Sequence, residues 1–151
     1  MSMDEPDYPG PAEPMVGALL RLASEATHRE LVARLDGAGF DDLRPAHYNL
    51  FTFPGIHGVR PTELAQRRGI SKQALNALLN ELEDLGYLVR RPSSGDGRHR
   101  QIELAPRGLE FARTMRGTLE HIEAELASLL GARRFADVKA AAGEIAAQYP
   151  P

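Results

Sequence analysis

The sequence predicts a mainly α-helical fold with one small β-hairpin: a winged helix-turn-helix with further helices on its N- and C-terminal sides. Three observations carry this expectation. Two helical runs meet at Gly69, and Leu75, Leu78, Leu79, Leu82 and Leu85 recur at helical spacing after the junction. Strand-like runs, 87–91 and 98–104, then flank the turn-rich segment Pro92-Ser93-Ser94-Gly95-Asp96-Gly97.

The chain divides accordingly. Residues 1–14 hold four prolines and four acidic residues, too little apolar surface to order themselves, and are expected to form a disordered arm. Val16 to Leu35 has helical patterning that ends at Gly37-Ala38-Gly39, and a second helix runs from Pro45 to about Phe53, where Pro54-Gly55 stops it. Within the winged unit, 41–105, the next helix begins at Pro61, whose fixed φ suits a first helical position, and Gly69 supplies the left-handed turn that closes it. Ser71 is an N-cap for the following helix. The leucine stripe of that helix is its buried face, leaving Lys72, Gln73, Asn76 and Asn80 on the other side, with Ala74 and Ala77 small enough for close approach to a partner.

From Pro106 a long helix carries Ala112, Met115, Leu119, Ile122, Leu126 and Leu129 at alternating steps of three and four, the pattern of helices packed side by side. Gly131 interrupts it, and Arg134 to Gln148 forms a last helix. Since the winged unit is closed by its own leucines, this seam is expected to pair with the N- and C-terminal helices of both subunits, with 15–36 and 106–149 as dimerisation helices.

Composition narrows the function classes. With no cysteine there is no disulfide framework, thiolate zinc site or thiol oxidation chemistry. No apolar stretch has membrane-spanning length and the acidic N-terminus is unlike a secretion signal, so a cytoplasmic protein without membrane partners is expected. The five histidines, 28, 47, 57, 99 and 121, form no compact ligand pair, which argues against a metal site. Gly95-Asp96-Gly97 lacks the third glycine and the helix of a dinucleotide loop, and no nucleophile with a placed base or paired acids is apparent. Neither an enzyme nor a cofactor is expected.

The net charge of −3 seems unsuited to nucleic acid, but it is unevenly distributed. Residues 57–104 hold 8 Lys or Arg against 6 Asp or Glu, net +2, leaving net −5 on the remainder. Arg90, Arg91, Arg98 and Arg100 occupy the hairpin, where they are able to follow a phosphate backbone or enter a minor groove. Amide side chains such as those of Gln73, Asn76 and Asn80 pair bidentately with adenine in the major groove. Double-stranded DNA is the partner this combination suggests. The rival is a winged helix used only for protein contacts, since a fold does not dictate its use.

Glu63-Leu64-Ala65, Gly69-Ile70-Ser71-Lys72-Gln73-Ala74-Leu75, Leu82-Glu83 before Gly86-Tyr87, and the wing sequence Asp96-Gly97-Arg98, in this order, resemble the MarR family of bacterial transcription regulators. The likeness is specific over 60–109. It implies a homodimeric regulator, a repressor in most such cases, on a pseudo-palindromic operator. Ser71, Lys72, Gln73 and Asn76 would lie on its recognition helix, Arg98 would reach the minor groove, and Asp96 would hold the wing. Two recognition-helix positions, Ala77 and Glu81, depart from relatives that often carry Arg there, and Ala105 stands where Thr usually caps the next helix. Many family members release DNA when a small aromatic effector enters a cleft beside the dimer helices. His28, His47, Tyr48 and Phe51 lie on segments expected to border such a cleft.

Overall fold

The computed structural model describes residues 13–52, 55–93 and 96–148, with the backbone alone at 93 and 96–99. The segment read as a disordered arm therefore lies almost wholly outside the described residues. The order is α1 (Val16–Leu35), α2 (Pro45–Phe51), α3 (Pro61–Arg68), α4 (Lys72–Asp84), β1 (Leu88–Ser93), β2 (Asp96–Leu104), α5 (Pro106–Leu130) and α6 (Ala132–Gln148).

Local chemistry sets the boundaries. Proline occupies the first turn of α2, α3 and α5, where its missing N–H costs no helical hydrogen bond. Gly69 ends α3 with φ 61°, donating its N–H to the carbonyls of Ala65 and Gln66. Ser71 caps α4 by accepting a hydrogen bond from the Ala74 N–H at 3.1 Å, while α5 has no side-chain cap at Ala105. α2 ends at Phe51, two residues before the expected stop, and α6 begins two residues early, at Ala132.

β1 and β2 pair antiparallel, Leu88 opposite Leu104 and Pro92 opposite Arg100, with an irregularity between Pro92 and Ser93. A third strand-like contact was not apparent in the sequence: Gly58 donates to the Ile102 carbonyl at 2.7 Å, and Ile102 donates to the Val59 carbonyl at 2.9 Å. This pair ties the hairpin to the segment entering α3.

Phe111, fully buried on α5, lies at the centre of the core, with ring centroids 5.1 Å from Phe40, 5.3 Å from Tyr48, 4.8 Å from Phe51 and 6.2 Å from Tyr87. The edge-to-face pairs with Phe40, Phe51 and Tyr87 add to the burial of large rings. Leu75, Leu79 and Leu82 are buried, Leu78 and Leu85 half-buried, as the stripe on α4 predicts. Tyr87 donates its hydroxyl to Asp42 at 2.7 Å, and Arg107 pairs with the same carboxylate at 2.9 Å while lying 4.6 Å above the Tyr87 ring. Burial, then the bond to Asp42, pushes the Tyr87 hydroxyl pKa well above its ordinary value.

The seam on α5 is met in part by α1 of the same chain: Met115 and Ile122 are buried, and Leu119 and Leu126 pack against the core. Arg34 of α1 clamps the same pairing, donating to both oxygens of Glu125 at 3.0 and 2.6 Å. A three-four period says that a helix lies alongside without saying whose. The large apolar side chains that remain exposed are Met15, Val16, Leu19, Leu20 and Leu22 at the start of α1, Leu109 and the last seam residue Leu129 on α5, and Val138 and Ile145 on α6.

Candidate nucleic-acid interface

α4 presents two faces of opposite chemistry. Its leucines are locked into the core, which fixes the rotation of the helix, and the same rotation exposes Ser71, Lys72, Gln73, Asn76, Ala77 and Asn80. The Ser71 hydroxyl oxygen is engaged as the N-cap, so its first role is to start the helix. Lys72 and Asn76 border a shallow depression that they share with Pro61 and Thr62 of α3, which places the two helix N-termini side by side.

The hairpin arginines separate into different environments. Arg90 is four-fifths buried and turned back onto α4: its Nε donates to Glu83 at 2.9 Å, its backbone N–H donates to the same carboxylate at 3.2 Å, and Nη2 donates to Asn80 Oδ1. Arg90 first, through its hydrogen bonds, holds the Glu83 pKa below the usual carboxylate range. Arg91 is two-thirds exposed and pairs with Glu103 across the hairpin at 3.0 Å, a surface contact worth no more than about 1 kcal/mol and readily exchanged for a phosphate. Arg100 is exposed. The side chains of Asp96 and Arg98 lie outside the described residues, although their backbone belongs to β2.

Glu81 has a definite partner set. Arg44, preceding α2, and His47 both donate to its Oε2, the latter at 2.9 Å. The Arg44 backbone N–H donates to His47 Nδ1 at 3.1 Å, so the ring proton lies on Nε2, facing Glu81. These bonds, that of Arg44 foremost, hold the Glu81 pKa below its ordinary value. The acidic residue at this position of α4 therefore anchors α2 to α4.

The four residues expected to border a cleft are not brought together. His28 lines a cavity of about 390 Å³ between α1, the end of α2 and α5, with Ser24, Leu31, Asn49, Thr52 and Leu119. Phe51 lines a neighbouring hollow with Met115 and Arg116. His47, 1% exposed, points instead at α4, and Tyr48 is buried against Phe111; neither borders these two cavities.

Sequence reading missed three contributors. Glu83 was visible only as an acid on the flank of the leucine stripe, and Arg44 only as a cation before Pro45. Arg68 donates to the Thr52 hydroxyl at 3.2 Å and the Thr52 carbonyl at 2.7 Å, joining the ends of α2 and α3. Its burial lowers the guanidinium pKa. Among the described residues no group of three or more His, Cys, Asp or Glu is arranged to hold a metal, and no helix is long and apolar enough to cross a membrane.

Comparison with known proteins extends this geometry. Residues 41–99 match the model of the MarR family. An HTH-type transcriptional repressor of Mycobacterium tuberculosis is 29% identical over 82 residues, which span 54% of this chain and 59% of the repressor. The match thus covers little more than half the length of that curated relative. The structure of the S. aureus MepR–DNA complex superposes with a TM-score of 0.70 at 19% identity, covering 90% of this chain and 99% of that one. The transcriptional repressor CouR, bound to a 23-mer DNA duplex, gives a TM-score of 0.70 at 24% identity, with 87% and 92% covered. These structural likenesses establish the winged fold over nearly the whole chain.

Proposed function

We propose that this chain is a DNA-binding transcription regulator of the MarR family, a repressor by analogy with its curated relatives, that grips a pseudo-palindromic operator as a homodimer. The observation that carries the reading is the exposed Lys72, Gln73, Asn76 and Asn80 face of α4, backed by fully buried leucines and flanked by an arginine-bearing hairpin. A helix so oriented fits the major groove, while the hairpin fits the neighbouring minor groove and backbone.

Two such helices entering successive major grooves require two-fold symmetry. The exposed apolar residues at the start of α1 and along α6 supply a self-complementary surface for it. The cavity beside His28 is the place for a small aromatic effector: it abuts α1, α2 and α5, so a ligand preferring one arrangement of these helices would shift DNA affinity by that difference.

Gel-shift titration against genomic fragments at several salt concentrations tests the reading. Retention of a discrete set of fragments, with log affinity falling linearly in log salt, is expected. Absence of any retained fragment at low salt would favour the protein-contact module.

A further inference from the structure

We propose that Asn80, held by Arg90, reads a hydrogen-bond acceptor on the DNA and selects guanine rather than the adenine that a recognition-helix asparagine usually takes. The inference rests on the DNA-binding reading above. An asparagine pairs with adenine by accepting from N6 through Oδ1 and donating to N7 through Nδ2. Both ends of the amide must therefore face the base, with an Oδ1 lone pair in surroundings that tolerate the positive end of an amino group.

Here they are not equivalent. Arg90 Nη2 donates to Asn80 Oδ1. Because a guanidinium carries donors and no acceptor, this contact fixes which end of the amide is oxygen. Arg90 is in turn immobilised: its side chain is only 19% exposed, Nε and Nη2 both bind Glu83 Oε2, and the Arg90 backbone N–H binds Glu83 Oε1 at 3.2 Å. Glu83 and Asn80 sit on successive turns of α4, and Arg90 on β1, so the clamp also sets the angle between recognition helix and wing.

The outward consequence is a surface of donors. With one Oδ1 lone pair taken by Arg90 and the other lying beside its positive charge, exposed Asn80 offers its Nδ2 hydrogens, and the guanidinium disfavours the amino group of adenine or cytosine while favouring an acceptor. Guanine presents two acceptors, O6 and N7, on its major-groove edge, and thymine only O4. Guanine is the base that fits. Arg90 is thus a positioning residue that acts through Asn80, distinct from Arg91 and Arg100, which are exposed on the wing.

The test is in-vitro selection of binding sites from a randomised duplex library, using the full chain and its Asn80→Ala, Asn80→Asp and Arg90→Met variants. The wild type is expected to enrich a symmetric motif with guanine at one position of each half-site, which loses its preference by on the order of tenfold in Asn80→Ala while the other positions persist. Asn80→Asp, an acceptor in place of a donor, is expected to move that position to cytosine, whose N4 amino group donates. Arg90→Met, which removes the competing donor and its positive charge from Oδ1, is expected to move it to adenine. Asn80 is exposed, so its two variants keep the fold and decide the matter if Arg90→Met does not. A wild-type motif that no Asn80 variant alters, or one that carries adenine at the responsive position, overturns the inference and leaves the DNA-binding reading intact. A wild type that enriches no motif overturns both.

Discussion

Gly108 lies in the first turn of α5, where the helix presses on Tyr87 at the start of the hairpin. A Cβ added there would stand 2.0 Å from the Tyr87 carbonyl oxygen, 3.0 Å from the Tyr87 carbonyl carbon and 3.2 Å from Leu104 Cδ2. The first two obstacles are backbone and cannot rotate away, so α5 would have to withdraw by roughly 1 Å to restore van der Waals separation. Withdrawal would stretch the bond from the Ala105 N–H to the Tyr87 carbonyl, now 3.0 Å, and lift Phe111, three residues on, out of its aromatic shell. Overpacking of this kind costs about 1–3 kcal/mol, against a helical gain of up to about 1 kcal/mol for replacing glycine by alanine. Gly108→Ala is therefore expected to lose about 1–2 kcal/mol net. Gly117→Ala, in the same helix with nothing within 4 Å of the new Cβ, is expected to gain about 0.5–1 kcal/mol. Urea unfolding followed by circular dichroism reads both as shifts of midpoint at constant slope. Gly108→Ala as stable as the parent would refute the rigid docking of α5 on Tyr87.

Two further outcomes follow from the fold. Leu19→Glu with Val138→Glu places charge on residues 50% and 52% exposed in the single chain; light scattering is expected to report a folded monomer, and an intact dimer would remove this surface from the interface. Glu81 and Glu83 have pKa values lowered by Arg44 and Arg90, so they contribute stability above the ordinary carboxylate value of about 4.5 that is lost as pH falls through their lower folded values. The urea midpoint of Glu81→Gln/Glu83→Gln should accordingly lie below that of the parent at neutral pH and converge with it as pH falls below the ordinary carboxylate range; a constant gap would contradict the ion-pair account.

Much of this architecture was legible in the residues. The leucine stripe fixes the rotation of α4, Gly69 and Ser71 set its start, and the alternation around Pro92 to Gly97 announces the hairpin. Each is a local signal in which spacing alone identifies the buried face. What stayed hidden depends on partners distant in sequence. The Met115–Leu126 seam reads identically whether α1 or a second subunit covers it. His47 is acceptable on a surface or in a core, and only the fold places Glu81 beside it. The hairpin arginines look equivalent as charges, yet Glu83 draws Arg90 inward while Arg91 stays exposed. The Gly58–Ile102 bridge is too short to show any periodicity.

The central claim is that α4 and the wing, acting from two related subunits, read and hold duplex DNA. Footprinting on a retained genomic fragment, repeated over a range of salt for the wild type, Asn76→Ala and Arg98→Ala, tests it most directly. The account predicts a two-fold symmetric footprint with half-sites about 10 bp apart. Asn76→Ala should lose on the order of 1–3 kcal/mol at the operator and little on random duplex, and Arg98→Ala should weaken both and flatten the salt dependence. An asymmetric single-half-site footprint, or operator affinity unchanged in both variants, would contradict it.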